Sequence, residues 1–369
     1  MPGQDIGGPW WFLFSLSRWA YWHLLTDTVA AYLAFGLFRY LDTSVPEGVQ
    51  EVWNARILDA ALRTHGKLVG YNSPVTMTHD TRRDGGWSWL SIDVYDPTMR
   101  ELAKRVSMVV VSVGYRQSPE HAHPVPFEDC LTAVLNNAVK LNLDPTRVAI
   151  SGDSAGGHLT AAVGLRLKKM KIQVSIYPCL QLLDLQTPSY IENRMYIPGM
   201  LNDVSMLSYW LNYGNISYDH MDDILANRHT SSAVKKSKYA ERISPKYYMK
   251  EHIRTESLKS PSKPTDFGNE NLFSTIEGTV LDPYFAPLMA DNAEYRGLPL
   301  TYVLTAGYDV LRDDGLIYAQ RLKEAGVDVH LAHYKEGFHG MIFFFDGPIP
   351  FEVGKRALVD LVVFLKKHL

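Results

Sequence analysis

At 369 residues, 46% hydrophobic and 21% charged, the chain has material for one large domain or two small ones with a sizeable core. A net charge of −3 without any basic block excludes the electrostatic footprint of a nucleic-acid binder. Two cysteines, Cys130 and Cys179, are too few for a disulfide framework, and their spacing suits no zinc site, so both read as small core residues.

The first forty residues stand apart. Residues 10–25 are mostly aromatic and aliphatic, and residues 29–38 form a second apolar run. Arg18 interrupts the first run, and His23, Thr26 and Asp27 lie between the two. Neither reaches the ~18–20 residues a spanning helix prefers, and no small-residue cleavage site follows. Residues 1–44 read as an uncleaved membrane anchor and linker; the other reading is an amphipathic helix lying on a membrane or against the domain.

Residues 45–369 read as one domain. Val45-Pro46-Glu47 opens a helical pattern over 49–68, and 69–86 is short and polar, with a turn at Asp84-Gly85-Gly86. Residues 95–105 have helical spacing. The run 106–115 is nearly continuous in β-branched residues, which predicts a strand buried on both faces, as in a parallel sheet. A helix over 127–143, a strand over 147–151, a helix over 158–170 and a strand over 172–177 continue the pattern. Such alternation argues for an α/β fold with right-handed crossovers. Between 180 and 295 it stops. Helices are predicted over 200–213 and 233–242, and 256–271 is polar with two prolines; the insertion reads as a cap over a site. The sheet pattern resumes with a strand over 298–305, a helix over 313–325, a strand over 327–334 and a helix over 351–369.

One stretch organises the rest. Gly152-Asp153-Ser154-Ala155-Gly156-Gly157 stands between a predicted strand and a predicted helix. A Gly-x-Ser-x-Gly turn there holds serine at the tip of a strained bend and points the free N–H groups of the helix N-terminus at a developing negative oxygen. A nucleophilic serine also needs a base, a group that orients the base, and oxyanion donors. Asp309 follows the strand ending near Thr305, and His339, flanked by Gly337 and Gly340, follows the strand ending near Tyr334. Both therefore fall at C-terminal strand edges, where open α/β sheets carry their sites. Asp313 and Asp314 are rivals to Asp309, but they stand at a helix start, where capping or a macrodipole role suits them better.

These motifs resemble the hormone-sensitive-lipase branch of the α/β-hydrolases, and within it the arylacetamide deacetylase and neutral cholesterol ester hydrolase family. The resemblance covers residues 45 to 369. It rests on 152–157, on Tyr115-Arg116 with Pro119 and Phe127-Glu128-Asp129, on Tyr177-Pro178 with Pro188-Ser189-Tyr190, on 309–315 and on 337–340. It implies a mostly parallel sheet with helices on both faces, a helical cap, and a triad of Ser154, Asp309 and His339. It implies hydrolysis of lipophilic carboxylic esters, with no metal or organic cofactor. It also implies a single-pass type II membrane protein with its catalytic domain in the endoplasmic reticulum lumen, where Asn215-Ile216-Ser217 is a usable glycosylation sequon.

The chain departs from the family in one region. Members carry His-Gly-Gly-Gly ahead of the elbow, whereas here the nearest match is Arg83-Asp84-Gly85-Gly86-Trp87. The family builds its first strands before this loop, and residues 69–84 are too few for three strands of about five residues with their turns. Part of the sheet edge is therefore expected to be missing. The oxyanion donors left are the N–H groups of Gly85, Gly86 and Ala155. Loss of a donor makes a second reading: a catalytically impaired homologue that binds a lipid or a protein partner.

Overall fold

The computed structural model describes residues 87–88, 92–140, 144–194, 201–249, 268–346 and 350–369. Four apolar runs pair side by side, all parallel: β1 (Ala149–Asp153), β2 (Ile172–Ile176), β3 (Leu300–Tyr308) and β4 (Val329–Phe338), in that order across the sheet. Ile150 stands opposite Gln173, Val174 opposite Tyr302, and Val303 opposite Leu331. Parallel neighbours need crossovers, and helices supply them. In chain order the longer helices, with one short one, are α1 (Ile92–Val106), α2 (Val125–Lys140), α3 (Ala155–Leu167), α4 (Pro188–Asn193), α5 (Asp203–Gly214), α6 (Glu270–Val280), α7 (Arg312–Glu324) and α8 (Glu352–His368). β1 connects to β2 through α3, and β3 to β4 through α7. The β2-to-β3 crossover holds α4, α5, α6 and several shorter helices.

Side chains alternate across a strand, and that alternation builds two cores. Ile172, Val174 and Ile176 of β2, with Tyr302 and Leu304 of β3, pack with Leu102 of α1 and Leu358, Leu361 and Leu365 of α8. Val303 joins the other core, with Leu159 and Val163 of α3 and Leu316 and Ile317 of α7. Each fully buried aliphatic side chain of this kind contributes roughly 1.5–3 kcal/mol. Gln173 is a fully buried polar residue of β2. Its Nε2 donates to the Tyr318 hydroxyl at 2.9 Å, and Gly164 leaves it room, since a Cβ there would lie 2.2 Å from its Oε1.

Most predicted elements appear with ends shifted by at most four residues. The helix expected from 158 starts at Ala155, directly at the turn, and the strand expected over 147–151 runs over 149–153, because Pro145–Arg147 forms a 3-10 turn. The helix expected over 233–242 is interrupted at Ser237, which is extended (φ −96°, ψ 173°) and starts a new helix with its own side chain as cap.

Two expectations are corrected. Residues 108–116 form no strand, although they have the composition of one. Strand geometry persists when neighbours satisfy its N–H and C=O groups, and among the described residues no strand pairs with this segment. Val109 is 72% exposed. The second correction concerns the membrane. Among the described residues no helix is long and apolar enough to cross one, so the reading as a single-pass type II protein of the endoplasmic reticulum, with the membrane as partner, is withdrawn. The expected anchor at 10–38 and the helix at 49–68 lie outside the described residues, as do residues 69–86.

Candidate active site

β1 ends at Asp153, and the chain turns at Ser154 with φ 54° and ψ −117°, a conformation that costs a non-glycine residue about 1–3 kcal/mol. The turn closes because Gly152 has no side chain: a Cβ there would lie 2.3 Å from the backbone of Gly156. The Ser154 N–H donates to the Ile176 carbonyl at 2.9 Å, tying the bend to the end of β2. This leaves the hydroxyl at the C-terminal edge of the sheet.

His339 and Asp309 reach the same edge from β4 and β3. Ser154 Oγ lies 2.9 Å from His339 Nε2, and His339 Nδ1 lies 2.8 Å from Asp309 Oδ2. The Asp309 carboxylate is buried, and its other oxygen accepts the Leu311 N–H at 2.9 Å. A buried carboxylate against Nδ1 holds the proton there and leaves Nε2 free to accept from a hydroxyl. Gly340, at φ 82°, lets the chain reverse immediately after the histidine. The Tyr177 ring packs 4.7 Å from the imidazole. Asp153, beside the serine, is buried, and burial pushes its carboxyl up to about 6, opposed by the His339 charge and by hydrogen bonding from Tyr95.

Ala155 is buried at the first position of α3, where an N–H has no acceptor inside the helix. Gly85 and Gly86 lie outside the described residues. Trp87, which follows them, is fully buried and stacked on Tyr213 of α5, with centroids 4.4 Å apart and planes at 6°. Its Nε1 donates to His158 Nδ1 at 3.3 Å, and its carbonyl accepts the Ser118 N–H at 2.9 Å. An indole N–H only donates, so Nδ1 of His158 is the acceptor and Nε2 carries the proton it gives to the Phe285 carbonyl at 2.7 Å. Burial pulls His158 down to about 3, so it is neutral here. Sequence reading passed over Trp87 and His158. The signals were a tryptophan next to the Gly-Gly pair and a histidine four residues after the serine, one turn below it.

Asp313 and Asp314 do not cap α7. Asp313 accepts the Ser189 N–H at 2.8 Å, and Asp314 accepts the Leu180 N–H at 2.8 Å and Gln181 Nε2 at 3.2 Å. Burial lifts Asp314 to about 7. Neither touches His339. Asn215 is exposed at the C-terminal end of α5 in a left-handed conformation. Cys179 is buried and Cys130 partly so, and the two form no disulfide.

The family described as alpha/beta hydrolase fold matches residues 83–240 and 236–343. Neutral cholesterol ester hydrolase 1 of Bos taurus is 39% identical over 300 residues, covering 77% of this chain and 72% of the relative. Arylacetamide deacetylase of Bos taurus is 38% identical over 400 residues, covering 90% of this chain and 96% of the relative. Among solved structures, an esterase of Pyrobaculum calidifontis superposes with a TM-score of 0.60 at 24% identity, over 91% of this chain and 97% of that one, a likeness of fold.

Proposed function

This chain belongs to the α/β-hydrolase family of the arylacetamide deacetylases and neutral cholesterol ester hydrolases, and from that premise we propose that it hydrolyses lipophilic carboxylic esters with Ser154 as nucleophile. The observation that carries the reading is the hydrogen-bonded chain from Ser154 Oγ through His339 to Asp309, at 2.9 and 2.8 Å. Two relatives are named as a neutral cholesterol ester hydrolase and an arylacetamide deacetylase, which supports an apolar acyl substrate.

The steps follow from that geometry. Ser154 Oγ attacks the ester carbonyl carbon while its proton passes to His339 Nε2. Asp309 keeps the imidazole in the right tautomer and stabilises the imidazolium. In this reading the Ala155 N–H stabilises the tetrahedral oxyanion, with Gly85 and Gly86 as the further donors the sequence offers. Collapse breaks the bond to the alcohol oxygen, which leaves with the proton from Nε2. Water then attacks the acyl-serine, gives its proton to Nε2, and the acid departs as Ser154 Oγ regains a proton. Residues 45–369 serve as the catalytic unit in this reading, with the insertion at 180–295 as its cap.

A fluorophosphonate probe tests the reading, because it phosphonylates only an activated serine. The intact chain is expected to label, and Ser154→Ala is expected not to. A p-nitrophenyl ester series of rising acyl length then tests the preference for apolar substrates. Folded wild-type protein that does not label overturns the assignment.

A further inference from the structure

β3 carries Asp309 to the site, but the ladder does not hold that residue. The register with β4 breaks between Ala306 and Tyr308. At this break Gly307 runs so close to Lys335 that a Cβ would lie 2.0 Å from its carbonyl oxygen. Beyond it the chain turns through Asp309, Val310 and Leu311 into α7. The Asp309 carboxylate closes part of this turn on the Leu311 N–H, which leaves one oxygen for His339.

The rest of the turn is held from outside, by α4. Asn193 Nδ2 donates to the Asp309 carbonyl at 3.0 Å, and Ser189 Oγ donates to the Val310 carbonyl at 2.7 Å. The Ser189 N–H donates to Asp313 at 2.8 Å, and the Arg312 guanidinium joins Asp313 at 2.9 Å to Glu192 at 2.8 Å. Residues 189, 192 and 193 share one helical face, and this face grips the acid turn at 309, 310, 312 and 313. Ser189, Asn193 and Asp313 are all buried, so each bond is sheltered from water and has no ready replacement.

We propose that Asn193 and Ser189 are positioning residues that set the Asp309–His339 hydrogen bond. The first helix of the insertion thereby controls how well the base is oriented. This rests on reading Ser154, His339 and Asp309 as a triad. Neither residue reaches the reacting atoms; both act through the two carbonyls that fix the acid's backbone. A misplacement of 1 Å costs an enzyme on the order of 10²-fold, so modest movement of this turn is enough to matter.

The experiment measures p-nitrophenyl butyrate hydrolysis across pH, with thermal midpoints, for the full chain and for Asn193→Ala, Asn193→Asp, Ser189→Ala and Ser189→Thr. Asn193→Ala and Ser189→Ala are expected to lower kcat about tenfold or more. Their KM should stay within about twofold, as befits an effect outside ground-state binding. The acid limb of kcat/KM should move to lower pH, because the imidazolium has a poorer carboxylate partner. Ser189→Thr keeps the hydroxyl and should restore most of kcat. Asn193→Asp keeps the size and loses the amide donor, so it should lower kcat as Asn193→Ala does, and it reads the effect where the alanine variant folds poorly. Folded variants with wild-type kcat and an unmoved acid limb overturn the proposal, even where the thermal midpoint falls. Wild-type protein lacking hydrolysis that Ser154→Ala abolishes overturns the triad reading itself, and the positioning role with it.

Discussion

β3 and residues 108–116 both carry runs of β-branched and apolar residues, yet one is a strand and the other is not. β3 has a parallel neighbour on each side, and its residues 301–306 are buried. Residues 108–116 have no strand neighbour among the described residues, and Val109 and Val111 are exposed. The difference teaches that β-branched composition describes fitness for a half-buried pleated surface, not a backbone conformation held alone. It also divides the site. The acid and the base hang from β3 and β4, whereas the nucleophile hangs from β1, whose described partner is β2.

The largest effect tests the firmly paired half. Asp309→Asn keeps the shape of the buried side chain and is expected to lower kcat by about 10⁴-fold through the wrong imidazole tautomer. Steady-state ester hydrolysis reads it, with the circular dichroism spectrum unchanged. A loss below tenfold means that the buried Asp309 is not what orients His339. A smaller effect separates the two runs directly. Ile172→Ala empties a fully buried position in β2 and should cost about 2–5 kcal/mol in chemical denaturation. Val109→Ala removes only exposed methyl groups and should stay within about 0.5 kcal/mol. Equal costs for the two would show that residues 108–116 are packed after all, and the contrast would collapse.

Legibility in the sequence followed the same division. The elbow was readable because a strand, a Gly-x-Ser-x-Gly turn and a helix constrain one another within twenty residues. Asp309 and His339 were readable because each follows an apolar run that had to be a strand. The segment at 106–115 misled because pairing is a long-range property, and a run of valines carries no record of whether a neighbour is there. Asp313 and Asp314 were legible in part. Their place in the first turn of α7 suits a macrodipole role, but α4 and the chain after β2 pack against that turn, and buried backbone N–H groups claimed the carboxylates. The roles of Asn193, Ser189, Trp87 and His158 depend on contacts across 71 to 127 positions, which no local spacing encodes.

The nucleophile's half offers its own handle in His158, which lies on α3 behind the elbow. Its imidazole joins Trp87 to Phe285 only while neutral, because protonating Nδ1 would set it against the indole N–H. Burial holds it near 3 in the folded chain, against about 6.5 unfolded, with His123 opposing its charge and Asp282 favouring it. Between those values the unfolded chain binds a proton that the folded chain refuses. The contribution is therefore fully present above pH 6.5 and is lost as pH falls toward 3, at up to about 1.4 kcal/mol per pH unit. His158→Asn removes the titrating group, so its denaturation free energy should fall less steeply between pH 6 and 4 than that of the wild type, by about 1 kcal/mol per unit. Parallel slopes for the two proteins would mean that water reaches this imidazole. The aromatic wall of Trp87, Tyr213 and Phe285 would then not seal the nucleophile's side as the two packed cores seal β3.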